Sequence, residues 1–574
     1  MKSLSPAYGA RALTRTTRRC STLFVVRRAL VLCVACAMSL ALSGRGPKGP
    51  YSAIRFEEIA RDAGVAFTLH NDPTPDRRLI ETMPGGVAIF DYDGDGRPDI
   101  FFTNGAAGAG FDKTDPRFWN RLYRNDGNWR FTDVTGTSGL KGQGYGIGAA
   151  AADYDNDGDQ DLFVAGVRGN QLYRNDGRGR FEEVSARAGI RSEVWSVAGA
   201  WFDYDRDGHL DLLVVNYLQW DPAAERDRFC GDRARNLRVY CHPKYYEGLP
   251  NTLYRNRGDG TFEDVSARSG IGRVVGKGMS VAIDDFDGDG WLDAYVTNDA
   301  VPSVLFRNRG DGTFEELGLL AGVAVPSHGR PVSAMGVASG DYDGDGRPDL
   351  AVTALSGETF PLFRNEGDGL FREAGVTSGL NQLTVRHSGW GIVLADLNND
   401  GRPDLFTANS HVNDLVEQFE SSVYLEPNRV FLNTGDGRFR DVSAGAGEAF
   451  QQKAAYRGAA AADLDGDGRL DVVTTALGSP AAIWRNVTEP RGHWIAVRPT
   501  GRAPRDGIGA RIRVGTQITT VTTATSYASS SPPVAHFGLG DSTTPPEIVV
   551  TWPDGSTQTV TADGIDRVIE IRQP

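Results

Sequence analysis

Carboxylates are the side chains of this sequence whose spacing carries chemistry. A nine-residue pattern, Asp-x-Asp/Asn-x-Asp-Gly-x-x-Asp, begins at Asp91, Asp153, Asp203, Asp285, Asp341, Asp396 and Asp463. Acids at positions 1, 3, 5 and 9 repel one another unless a cation neutralises them. Hard oxygen donors around a glycine at position 6 suit Ca²⁺, with the seventh residue supplying its main-chain carbonyl. The first three ligand sets are Asp91, Asp93, Asp95, Arg97, Asp99; Asp153, Asp155, Asp157, Asp159, Asp161; and Asp203, Asp205, Asp207, His209, Asp211. The fourth and fifth are Asp285, Asp287, Asp289, Trp291, Asp293; and Asp341, Asp343, Asp345, Arg347, Asp349. The last two are Asp396, Asn398, Asp400, Arg402, Asp404; and Asp463, Asp465, Asp467, Arg469, Asp471. An EF-hand loop starts this way but ends in Glu at position 12, where the first and third copies have Phe102 and Val214. Acidic hairpin turns without metal are the bland alternative, and seven repetitions of spaced carboxylates argue against it. About seven Ca²⁺ are expected, mainly structural because every repeat carries one.

The elements that hold these loops repeat with them. Each copy follows a run of small and apolar residues such as GIGAAAA, precedes a β-rich run such as DLLVV, and leads to LYRNDG or a variant and then Phe-x-Asp/Glu. Four strands per unit are predicted, with the metal loop joining the first to the second. The seventh unit stops at Asn486 without its fourth strand, and the missing Phe-Glu-Glu lies upstream at Phe56. An N-terminal strand that completes the last unit closes a ring. The expected fold is therefore all-β: a seven-bladed β-propeller over residues 52–487, followed by a small β domain over 488–574. All seven loops then share one face of the disc, and the insertions Asn216 to Asn251 and Asn409 to Asn428 leave from the other.

The net charge is −13, but residues 1–43 hold seven of the 61 basic side chains and none of the 74 acids, so removing them leaves −20. A surface that acidic repels a phosphate backbone, which excludes general nucleic-acid binding. The basic start and the apolar run Ala29 to Leu42 read as a signal peptide over 1–43, too short for a spanning helix, so an exported chain (periplasmic, cell-surface or extracellular) without a transmembrane span is expected. Cys230 and Cys241 remain after the leader and predict one disulfide.

The seven units resemble the FG-GAP or VCBS-type repeats of calcium-binding β-propellers. Asp506-Gly507-Ile508-Gly509-Ala510-Arg511, His536-Phe537-Gly538-Leu539-Gly540 and Val550-Thr551-Trp552-Pro553-Asp554-Gly555 resemble the ASPIC/UnbV domain. Together they make the chain similar to the cartilage acidic protein-like family, which implies a secreted adhesion or protein-interaction module whose partner is an extracellular or envelope protein or glycan. Two other classes compete. Glu81, Lys277, His387, Trp390 and His411 lie beside first or second strands, where acid-base chemistry in a loop-face funnel would need them. Trp220, Tyr240, Tyr245 and Tyr246 in the long insertion would suit a carbohydrate-binding module. The plainer role for both groups is packing and loop hydrogen bonding, and the Arg-Gly-Asp triplets at Arg257 and Arg309 fall in a degenerate hairpin turn.

Overall fold

The computed structural model describes residues 53–574 apart from Ala109 and Arg191; the expected signal peptide lies outside the described residues. Seven units of four antiparallel strands follow one another along the chain, the first of them extended to a six-stranded sheet by two short strands from the C-terminal region. In the second, Tyr145–Ala152 pairs with Asp161–Val167, then Gln171–Asn175, then Phe181–Glu183. The other sheets repeat this order. The last is completed from the far end of the sequence, where Phe56–Glu58 pairs with Ala482–Asn486 in the register Phe56↔Asn486.

First strands of successive sheets lie against each other all the way round, and Tyr456–Ala462 of the last touches Val87–Phe90 of the first. They are built of small residues because they crowd the axis. At Gly148 an added Cβ would sit 2.1 Å from the Val197 carbonyl oxygen. Apolar side chains fill the wedges between neighbouring sheets, as Phe202, Leu213, Val215, Val281, Ile283 and Val296 do between the third and fourth.

The C-terminal region forms two further sheets. One has His493–Thr500 between Ala535–Gly540 and Arg567–Arg572; the other orders Gln517–Thr520, Arg511–Val514, Glu547–Thr551 and Thr557–Thr561. Alternate residues Ile495, Val497, Ile512, Val514, Ile569 and Ile571 point into a shared core with Phe537 and Trp552. These sheets sit on the face that carries the aspartate loops, in the same compact unit as the ring.

A hairpin between them enters the ring. Ala524–Thr525 pairs with Ser529–Ser530, and Ser530 adds in parallel register to Ala88 of the first sheet. Its main chain and hydroxyls meet the inner strands: Ala149 N–H donates to Ala528 O (3.1 Å), Ile392 N–H to Ser526 Oγ (2.8 Å) and Ala461 N–H to Ser531 Oγ (3.1 Å). Tyr527 at the tip is fully buried; its hydroxyl donates to the Met83 carbonyl at 2.7 Å and its ring meets Trp390 edge-on at 4.9 Å. The C-terminal hairpin thus enters the axis of the ring.

Candidate metal centres

The seven loops share one backbone solution. The glycine at position 6 has φ between 84° and 102° in all seven, a conformation only glycine adopts without strain. Its N–H donates to Oδ2 of the position-1 aspartate, at 2.8 Å from Gly96 to Asp91 and 2.9 Å from Gly208 to Asp203. The position-5 carboxylate accepts the N–H of position 7, as Asp95 does from Arg97 at 2.9 Å and Asp289 from Trp291 at 2.9 Å. These bonds turn the carboxylates inward.

Position 9 opens the second strand and ties three segments. Asp293 Oδ2 accepts from Phe286 N–H at 3.1 Å and Oδ1 from Asn308 N–H at 2.8 Å, and the same pair of bonds recurs in every loop. The third-strand asparagine then reaches the preceding sheet. Asn175, Asn256, Asn308, Asn365, Asn433, Asn486 and Asn125 each donate from Nδ2 to the position-2 carbonyl of another loop, at 2.7–2.9 Å. The last, Asn125 to Leu464 O, closes the circle between the first and seventh loops. Sequence reasoning found these asparagines as part of a turn and missed this role.

In loops one, two, three and five the carboxylates of positions 1, 3 and 9 place oxygens within 4.8 Å of one another (Asp91, Asp93, Asp99 in loop one), and loop four does so with Asp285, Asp287 and Asp289. Among the described residues, four carboxylate oxygens of the loops, Asp93 Oδ1, Asp153 Oδ1, Asp205 Oδ1 and Asp343 Oδ1, are buried without a hydrogen-bond partner. A buried, unpaired carboxylate oxygen is costly, and a hard cation is the partner its chemistry fits. The outer oxygens are occupied instead: Arg174 Nε donates to Asp155 Oδ2 at 2.7 Å and Arg255 Nε to Asp205 Oδ2 at 2.6 Å, with Arg307 and Arg364 alike in loops four and five. At position 7 the Arg97, Arg347, Arg402 and Arg469 guanidiniums pair with the position-5 aspartates of their own loops. In loop six Asn398 Nδ2 donates to Asp400 Oδ2 at 3.2 Å.

Burial, reinforced by the neighbouring carboxylates, pushes Asp99, Asp153 and Asp349 up to about 8 and Asp203 and Asp396 up to about 7. Asp161, Asp211, Asp293, Asp404 and Asp471 are raised well above the carboxylate range for the same first cause. Charges so placed call for either protons or a cation.

On the opposite face each of the five residues that acid-base chemistry would need is held by contacts of its own. Trp390 is fully buried, donates to Ser410 O at 2.9 Å and carries the Arg457 guanidinium over its ring at 4.1 Å. Lys277 Nζ donates to Pro243 O at 2.7 Å. Glu81 accepts from the Thr74 hydroxyl at 2.6 Å, and burial pushes it up to about 7. His387 Nδ1 meets Glu426 Oε2 at 2.7 Å, and His411 Nδ1 accepts Asn413 N–H at 3.0 Å. Of the insertion's aromatics, Tyr246 and Trp220 donate to buried Glu225 at 2.5 and 2.6 Å and Tyr240 donates to Glu81 at 3.3 Å. Tyr245 alone of the four is exposed. Cys230 and Cys241 form a disulfide with Cα atoms 5.3 Å apart. The aspartates of both Arg-Gly-Asp triplets are folded back onto Thr261 and Thr313 at 2.6 Å.

Residues 91–164, 153–214, 239–296, 285–352, 341–407 and 415–474 match the FG-GAP-like repeat family, and residues 500–574 match ASPIC and UnbV. Human cartilage acidic protein 1 is 27% identical over 342 residues, which cover 57% of this chain and 48% of the human protein. The chain thus spans about half the length of the curated relatives it matches. Among solved structures, an Agrocybe aegerita lectin that recognises non-reducing terminal N-acetylglucosamine aligns with a TM-score of 0.36 at 18% identity, covering 69% of this chain and 87% of the lectin. Bacillus licheniformis rhamnogalacturonan lyase aligns at 0.36 and 13%, covering 76% of each chain.

Proposed function

The chain belongs to the FG-GAP-like repeat family and ends in an ASPIC and UnbV region, and from that premise we propose that it is an exported, calcium-stabilised propeller acting as an adhesion or protein-interaction module. The inequality of its two faces supports this most. The metal loops lie under the C-terminal sheets, whereas the two long insertions lie together on the other side, tied by Arg235 Nη2 to Gln418 Oε1 at 2.9 Å. They leave Tyr245, Phe419, Val423 and Leu425 more than 40% exposed. Such side chains suit a protein partner.

Calcium serves the ring in this reading. The glycine N–H to aspartate bond recurs in all seven loops, and the orphan oxygens of loops one, two, three and five are buried within the fold that they would help hold. Residues 91, 93, 95 and 99, and their counterparts in the other loops, would hold the ion, which supplies positive charge and nothing redox-active. Export is supported by the disulfide, and among the described residues no helix is long and apolar enough to cross a membrane.

The test is a variant carrying Phe419→Ser and Val423→Ser. Calcium content and melting temperature should stay at wild-type values while retention of envelope and medium proteins on the immobilised chain falls at least tenfold. Undiminished retention would remove the insertions as the binding face, and glycan-array binding with no protein retained would replace the protein partner by a sugar.

A further inference from the structure

Loops two and four receive opposite charges from the C-terminal sheets. At loop two, Asp506 Oδ2 accepts the main-chain N–H of Asp153 at 3.1 Å while Oδ1 accepts Ile508 N–H at 3.2 Å. The segment is pinned beside it: Arg505 N–H donates to Asn156 Oδ1 at 2.9 Å and its guanidinium to Asp157 O at 3.0 Å. Asp153 itself is only 2% exposed; its Oδ2 accepts Gly158 N–H at 2.9 Å, and its Oδ1 is one of the buried oxygens without a partner. At loop four the visitor is Arg511, with Nη1 3.8 Å from Asp285 Oδ2 and Nη2 donating to Gly346 O of loop five at 3.0 Å.

We propose that Asp506 is a further acidic member of the loop-two cation site, contributed from outside the repeat, and that loading of this loop is coupled to docking of the C-terminal sheets. This rests on the calcium reading above. Asp506 sets a second carboxylate beside an aspartate whose inner oxygen already lacks a partner. Without a cation the two acids oppose each other; with a divalent ion in the loop both attract it. Whatever then favours the ion favours the docked sheets by the same factor, and the reverse. Arg511 works against the ion at loop four, so the seven loops are not equal in affinity.

The experiment uses the full exported chain as wild type, Asp506→Asn, Asp153→Asn and the double variant. Bound calcium is counted by mass spectrometry after dialysis against limiting free calcium, and melting is followed in calcium and in excess EDTA. Asp506→Asn should retain one ion fewer than wild type, that site weakened roughly tenfold or more. Asp153→Asn should lose the same ion, and the double variant should lose no further one. The melting penalty of Asp506→Asn should be present in calcium and vanish in EDTA, whereas a carboxylate that only caps the Asp153 amide would matter equally in both. Unchanged ion count, or an equal penalty in both conditions, overturns the proposal. Arg511→Met gives an independent check: one ion should bind more tightly, and unaltered or weaker binding counts against it. A wild-type chain that binds no cation overturns the calcium reading as well, while a loaded wild type with an equally loaded Asp506→Asn overturns this inference alone.

Discussion

The smallest unit that explains the ring is a pair, the position-9 aspartate and the third-strand asparagine. Asn308 gives its main-chain N–H to Asp293, its Nδ2 to Tyr204 O and accepts Gly310 N–H at 3.0 Å, so one side chain joins a strand, a turn and the neighbouring sheet. Asn308→Ala leaves a buried carbonyl without its donor and should cost about 1–3 kcal/mol in denaturant unfolding with calcium present. A change at exposed Arg309 should stay within about 0.5 kcal/mol; equal effects at the two positions would refute the linking role. The asparagine was visible in the sequence, but its partner was not. Tyr204 lies 104 residues earlier, and a main-chain carbonyl leaves no mark in residue types.

At the scale of the loop, spacing alone pointed to the candidate site, because the carboxylates and the glycine lie within nine residues and their bonds are local. The same locality made the four strands of each unit readable. The hairpin at 524–530 was not, since its short strands of small and polar residues show no alternation and its partners, such as Ala88 and Ala149, lie hundreds of residues away. The arginines that bond the outer carboxylate oxygens were also missed. The loops set the pH behaviour of the ion-free protein. Asp99, Asp153 and Asp349 stand at about 8 against an ordinary 3.8, so between these values the folded chain holds more protons than the unfolded one. Stability in EDTA should therefore fall as pH rises from about 5 to 8, since unfolding then releases protons. Calcium competes with those protons, so its binding should strengthen over the same range. A melting temperature in EDTA that is level or rises with pH would contradict this electrostatic account.

At the largest scale the described residues form a ring closed three times: by Phe56–Glu58 completing the seventh sheet, by Asn125 reaching Leu464 O, and by the C-terminal hairpin entering the axis. The first closure was legible because the seventh unit lacked a strand that the N-terminal end supplied. The seating of the C-terminal sheets on the metal face was not, because Asp506, Arg511 and Tyr527 belong to no repeat and gain their meaning only from what they touch. In the proposed function that seating leaves the insertions for a partner and makes the aspartate loops a calcium-held framework. The most direct test of this framework is calcium content by mass spectrometry paired with melting in calcium and in excess EDTA. About seven ions per chain, with a melting temperature lowered by more than roughly 10 °C when they are removed, is the expected result; a chain that carries no calcium, or one that melts at the same temperature without it, would contradict the account.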